Sequence, residues 1–222
     1  LLSQAAREGQ LERMLALLRQ GGSPTRALHA AAGFGAVYSI HVLAHFGADL
    51  QIDEFLGFSP LHVAARASHA GACRELAALG ANLEARASFE YTPLMMAAAS
   101  DDSGDRVRAL VESGADMEAV WGERCPRTAL NSAAEFGRLG AAKVLLEAGA
   151  DVIGRALLQP IHDAAMSHSP YAAAMVRLLL DAGAPVSAPG GVNFPLRLPW
   201  HNADEEVPNS EVPNSEVVDV LI

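Results

Sequence analysis

Apolar residues return along this chain in two alternating patterns. The first is a compact run such as Leu61-His62-Val63-Ala64-Ala65, whose Ala pair recurs at Ala97-Ala98, Ala133-Ala134 and Ala164-Ala165. The second is a triplet at i, i+3, i+4, which is one face of a helix. It reads Met14-Leu17-Leu18, Ile40-Leu43-Ala44, Cys73-Leu76-Ala77, Val107-Leu110-Val111, Ala142-Leu145-Leu146, Val176-Leu179-Leu180 and Val218-Leu221-Ile222. Each compact run predicts a short helix with almost no side chain on one face, so that another backbone packs close against it and buries it. Each triplet predicts a second helix, and the Gly that follows predicts a left-handed C-cap, a conformation only Gly adopts without strain.

The two patterns share a period. The Leu of the compact run has counterparts at Leu28, Leu94, Leu130 and Ile161, and a Gly-Ala marker returns at Gly47, Gly80, Gly114, Gly149 and Gly183, spaced by 33, 34, 35 and 34 residues. Two independent markers with one period establish an internal repeat, and a period in this range means a stacked array. Ser59 and Thr92 stand where a helix N-cap accepts hydrogen bonds from free backbone N–H groups, and the Pro after each occupies a first-turn position where its missing N–H costs nothing.

With Ser59-Pro60-Leu61-His62-Val63-Ala64-Ala65 and the Gly-Ala-Asp/Asn marker in place, the chain resembles the ankyrin-repeat family. The resemblance covers residues 1 to about 186 well and 187–222 poorly. It implies an all-α solenoid of helix–turn–helix units with short β-hairpin fingers. It also implies a binding role without naming the partner, because the fold hosts many unrelated ones.

Taken in order, the units are 1–24, 25–52, 53–85, 86–119, 120–153 and 154–186, together an array over 1–186. Extra residues fall at Ser100–Gly104, in the long finger Glu118–Arg127 and at Ser167–Tyr171; insertions in such arrays map to one edge, often the binding face. Residues 187–222 read as a divergent, truncated seventh repeat. There Pro199-Trp200 replaces the Ala pair, where Pro breaks a helix, and the tandem Val207–Glu211 and Val212–Glu216 predicts a mobile polar insertion. Both ends cut through a repeat, which predicts a piece of a longer protein holding a monomeric array.

Composition narrows the partners. The 222 residues carry Lys+Arg 16 against Asp+Glu 26, a net charge of −10, the opposite of a footprint for nucleic acid or anionic lipid. No apolar run is long enough to span a bilayer and the start has no basic, then apolar, leader, so no membrane insertion is expected. Cys73 sits in a core triplet and Cys125 in a finger, so pairing is not expected. That favours an intracellular, cytoplasmic setting, with the nucleus left open.

Chemistry is sparse. His29, His62 and His162 each occupy the His of the repeat, which in the family bonds neighbouring turns. His41 and His45 stand at a metal-binding i, i+4 spacing, but no third ligand is evident and a solvated outer face is favoured. Asp101, Asp102 and Asp105 lack the alternation and distal Glu of a Ca²⁺ loop. With no nucleophile elbow, phosphate loop or Cys/His constellation at a working spacing, no catalysis, cofactor or metal is expected. The family's hydroxylatable Asn, often four after the Gly, is replaced at Gln51, Glu84, Glu118, Ile153 and Ser187.

The aromatic residues are the informative ones, since a core of Leu, Ala and Val has no place for them. In the resemblance, partner-contacting positions are the finger residues before the motif Leu and the two residues after the Ala pair. These are Phe55, Leu56, Phe58, Phe89, Tyr91, Trp121, Arg124 and Arg127 on fingers, and Phe34, Arg66, Glu135, Phe136 and Met166 on helices. Exposed aromatics interspersed with Arg have the composition of a protein–protein hot spot. The expected function is non-catalytic recognition of a protein or peptide on the concave finger and inner-helix face, as the substrate-recognition part of an adaptor such as a ubiquitin-ligase subunit. The alternative is a regulatory or scaffolding repeat region of a larger multidomain enzyme or channel.

Overall fold

The computed structural model describes residues 1–51, 57–87, 90–100, 102–121, 127–153, 160–167 and 169–185. Expectations that concern Phe55, Leu56, Phe89, Arg124, Cys125, the side chain of Met166, and the divergent repeat with its mobile insertion at 187–222 lie outside the described residues.

Those residues form six antiparallel helix pairs: α1 Leu2–Arg7 with α2 Leu11–Arg19, α3 Pro24–Gly33 with α4 Val37–His45, and α5 Pro60–Arg66 with α6 Ala70–Ala78. They continue as α7 Pro93–Ser100 with α8 Asp105–Glu112, α9 Ala129–Glu135 with α10 Leu139–Glu147, and α11 Pro160–Met166 with α12 Ala172–Asp181. The first helix of each pair stacks on the first helix of the next, α1 through α11, and α4 through α12 stack likewise. Every Ala pair is buried in the inner layer, and Ile40, Leu43, Cys73, Leu76, Val107, Leu110, Leu145, Val176 and Leu179 are fully buried beneath the outer one. The third residue of a triplet, such as Ala77 or Val111, is half-buried, with Leu18 the buried exception. The resulting core is one continuous layer rather than a central ball, so each repeat is stabilised by its neighbours.

The outer helices end as the pattern predicts. Gly80 has φ 90°, and the next N–H, from Ala81, reaches back to the Leu76 carbonyl at 3.0 Å, a left-handed cap that an L side chain would strain.

Two ladders of polar contacts tie repeat to repeat. In the inner ladder, the Ser59 N–H and hydroxyl donate to His62 Nδ1 at 3.3 and 2.9 Å. That leaves the His62 proton on Nε2, which donates to the Tyr91 carbonyl of the next finger at 3.0 Å. His29 Nε2 meets the Phe58 carbonyl in the same way at 3.1 Å. In the outer ladder, the backbone N–H of Asn82, Asp116 and Asp151 donates to the side-chain oxygen of Gln51, Glu84 and Glu118, at 3.0, 2.8 and 2.9 Å. The residues that replace the family's Asn thus bind the following loop.

The expected β-hairpin fingers lie largely outside the described residues, which hold their bases. Trp121 and Arg127 form one antiparallel bridge with both N–H···O distances 3.0 Å, and the Ala87 N–H closes on the Tyr91 carbonyl at 3.0 Å. Among the described residues the regular secondary structure is helical.

Candidate functional site

The C-terminal ends of the inner helices lie side by side because those helices stack without offset elements between them. The residue six after the motif Leu is the C-cap: Phe34 after α3, Ala67 after α5 and Phe136 after α9. Phe34 and Phe136 keep 54% and 44% of their surface open, in a fold that fills its core with Ala, Leu and Met. Arg66 ends α5 and is exposed, with its guanidinium carbon 5.7 Å from the Phe58 ring centre. Arg7, at the end of α1, lies 4.0 Å over Phe34.

Phe58, Tyr91 and Arg127 are equivalent, each just before an inner-helix N-cap. They do not behave alike. Phe58 is half-buried, edge-on to His62 with ring centres 6.0 Å apart. Tyr91 packs on Trp121 at 4.6 Å between ring centres, and both are half-buried against the core. Burial, more than the Glu135 charge, pushes the Tyr91 phenol up from its ordinary value. The Trp121 Nε1 is buried and has no hydrogen-bond acceptor among the described residues. These rings therefore wall the finger base, and of the predicted contact aromatics among the described residues Phe34 and Phe136 are the openly presented ones.

Arg127 is the hub of the densest polar cluster. Its Nη1 donates to Glu135 at 2.6 Å and its Nη2 to Asp163 at 2.8 Å, while its guanidinium carbon sits 5.9 Å from the Trp121 ring centre. Asp163 also accepts from Asn131 Nδ2 at 2.7 Å, and its side chain is 3% exposed. Asn131 stands where other repeats have His. Its Oδ1 accepts the Thr128 N–H at 3.0 Å, and its amide reaches the next repeat, so Asn repeats both tasks of His62 with a carboxylate in place of a carbonyl as the far acceptor. Burial pushes the Asp163 carboxyl up to about 6, against the pull of the Asn131 amide and the Arg127 guanidinium, with Glu135 adding to the rise. Burial, reinforced by Arg127, holds the neighbouring His162 below its ordinary value.

Beside this cluster opens a cleft of about 650 Å³ lined by Arg127, Glu135, Phe136, Arg138, Asp163 and Tyr171, among others. Arg138 is paired with Asp102 at 2.6 Å and donates to the Ala99 carbonyl at 3.0 Å. Tyr171 is 57% exposed.

Sequence reasoning placed Arg127, Glu135 and Phe136 here and passed over Asp163, Asn131, Arg138 and Tyr171. A signal existed for the first: the position after the motif His is Ala30, Val63, Met96 and Ser132 elsewhere, so an acid there is out of pattern. On the opposite layer, His41 Nδ1 contacts Glu75 at 2.7 Å and His45 lies edge-on to Phe46 at 6.1 Å. Among the described residues no three His, Cys, Asp or Glu side chains gather as metal ligands, and no helix is long and apolar enough to cross a membrane.

A family model described as ankyrin repeats (3 copies) matches residues 2–87 and again 80–156. No curated protein matches the chain. Among solved structures, the human ASB11 ankyrin repeat domain is similar with a TM-score of 0.70 at 25% sequence identity, over 83% of this chain and 84% of that one.

Proposed function

The chain belongs to the ankyrin-repeat family, whose repeats are protein–protein interaction modules, and we propose that it binds a protein or peptide along the concave row of inner-helix ends and fingers. The observation that carries this reading is the pair Phe34 and Phe136. Both occupy the same C-cap position in different repeats and both hold large apolar side chains in solvent. Such side chains contribute nothing to the stacked core, and open aromatics flanked by Arg are what interface hot spots are made of. Arg66 and Glu135 stand in the same row and supply its polar contacts; Phe58, Tyr91, Trp121 and Arg127 support its floor. Phe55, Leu56, Phe89, Arg124 and Met166 remain part of the proposed surface by their sequence positions.

The finer part of the proposal is an adaptor role. A recognition face without a catalytic constellation among the described residues is suited to present a bound protein to an activity carried elsewhere, such as a ubiquitin ligase.

Phe34→Ser and Phe136→Ser together form the test, because both are open and their loss leaves the fold intact. The double variant is expected to keep the wild-type melting temperature and to lose most of the proteins that the wild type cross-links in cells. Unchanged cross-linking by a folded variant refutes the site. Absence of ubiquitin-ligase subunits among proteins co-purifying with the full-length protein refutes the adaptor role alone.

A further inference from the structure

The cations of the inner row differ from one end of the array to the other. Toward the C-terminal end they are neutralised: Arg127 by Glu135 and Asp163, Arg138 by Asp102. Toward the N-terminal end, Arg7 and Arg66 have no carboxylate partner among the described residues, and each lies over an aromatic ring instead, at 4.0 and 5.7 Å. Glu8, the acid next to Arg7, is held by the Gln4 and Gln10 amides at 2.9 and 2.5 Å.

We propose that this N-terminal half of the row, Arg7–Phe34–Phe58–Arg66, takes an acidic peptide segment of the partner, with one carboxylate cluster at each Arg and an apolar residue on Phe34 between them. The inference rests on the proposed binding face and names the chemistry of what fills it. All five N–H donors of a guanidinium lie in its plane, so contact with a ring through the guanidinium face leaves them for a carboxylate. The ring also fixes the side chain, which lowers the entropy lost when a ligand binds. Because α1, α3 and α5 stack in succession, at about 8–10 Å per helix the two cations stand roughly 16–20 Å apart. An extended segment of about five or six residues covers that span. In a chain of net charge −10, Arg7 and Arg66 are two cations on one face without an ion-pair partner among the described residues, and such cations direct where an anionic ligand docks. The same net charge disfavours nucleic acid and anionic membranes, which need an extended basic surface.

The test is selection of a random twelve-residue peptide display library on the immobilised full chain at about 0.15 M salt, in parallel with the Arg7→Glu/Arg66→Glu and Phe34→Ser/Phe136→Ser variants. Both Arg side chains are exposed, so the charge-reversed variant is expected to melt with the wild type. The wild type should enrich peptides with Asp or Glu at two places about five residues apart. The best of these should bind the Arg7→Glu/Arg66→Glu variant at least tenfold more weakly, and that variant should enrich Lys- or Arg-bearing peptides instead. Peptides without acidic excess that are lost on Phe34→Ser/Phe136→Ser overturn the acidic assignment while leaving the binding face standing. No enrichment, or enrichment indifferent to every variant, overturns both. Binding of phosphatidylserine vesicles by the wild type and not by the charge-reversed variant gives the cations to a lipid surface and overturns the peptide assignment.

Discussion

Asp163 offers a prediction whose sign is opposite to that of the usual ion-paired carboxylate, whose pKa is lowered on folding. Its carboxyl is raised from 3.8 to about 6, burial being the largest cause, so between those values the folded chain holds a proton that the unfolded chain has released. Stability changes with pH in proportion to the protons bound by the unfolded state less those bound by the native one. That difference is negative here, so the contribution of Asp163 is fully present below about pH 4 and is lost as pH rises through about 6. A shift of roughly two units at 1.36 kcal/mol each amounts to about 3 kcal/mol, and with a side chain only 3% exposed little of it is screened away. Asp163→Asn removes the titration while keeping shape and one acceptor. The measurement is urea unfolding of both proteins, followed by circular dichroism, at about pH 4 and about pH 7. The wild type should lose about 2.5 kcal/mol relative to the variant between those two conditions, since at about pH 4 the unfolded carboxyl is already more than half ionised. The fixed offset between them is not the test, since Asn turns one donor toward Arg127 or Asn131. His162 contributes in the other direction, because its lowered value adds stability above pH 6.5 that is lost on acidification, and it is present in both proteins. A wild-type-minus-variant difference that is flat, or that grows with pH, refutes the account of this cluster.

Two further predictions concern stability, and each is checked by the same unfolding measurement. Arg106 is 4% exposed and donates to the Ala65 and Ser100 carbonyls at 2.7 and 2.8 Å, and also to the Arg66 carbonyl and the Ser100 hydroxyl; Arg106→Met leaves those helix-end oxygens without it and should cost about 3 kcal/mol, and a cost under about 1 kcal/mol refutes its role as a staple between α5 and α7. At Gly140 a Cβ would run into the Asp102 carbonyl oxygen, and at Gly104 it would come within 2.6 Å of the Gly140 oxygen; Gly140→Ala should therefore destabilise by about 2 kcal/mol despite the gain of roughly 1 in helix propensity, and a stabilised variant refutes the close approach.

The local rules of this chain are short-range, and they were legible. Apolar triplets, Ala pairs and left-handed glycines each act within about six residues, so the twelve helices of the described residues and their stacking follow from patterns that need no distant partner. The His of the repeat was legible too, since His62 bonds its own cap and the very next finger. The site was legible in outline only. Residues just before the N-cap look equivalent in sequence, yet Phe58, Tyr91 and Arg127 meet different neighbours. Tyr91 finds Trp121 of the next finger, and Arg127 finds an acid one repeat on.

Sequence alone therefore determined the period, the inner and outer layers and the family, because a solenoid repeats one local solution. Tertiary structure decided which aromatics are walls and which are open, where Arg127 is neutralised and where Arg7 and Arg66 are not. Those outcomes depend on side chains about 30 to 40 residues apart brought together by stacking, and Asp163 with Arg127 and Asn131 is the clearest instance. No local pattern encodes such a meeting, since its energy is set by burial and by the charge that the neighbouring repeat supplies.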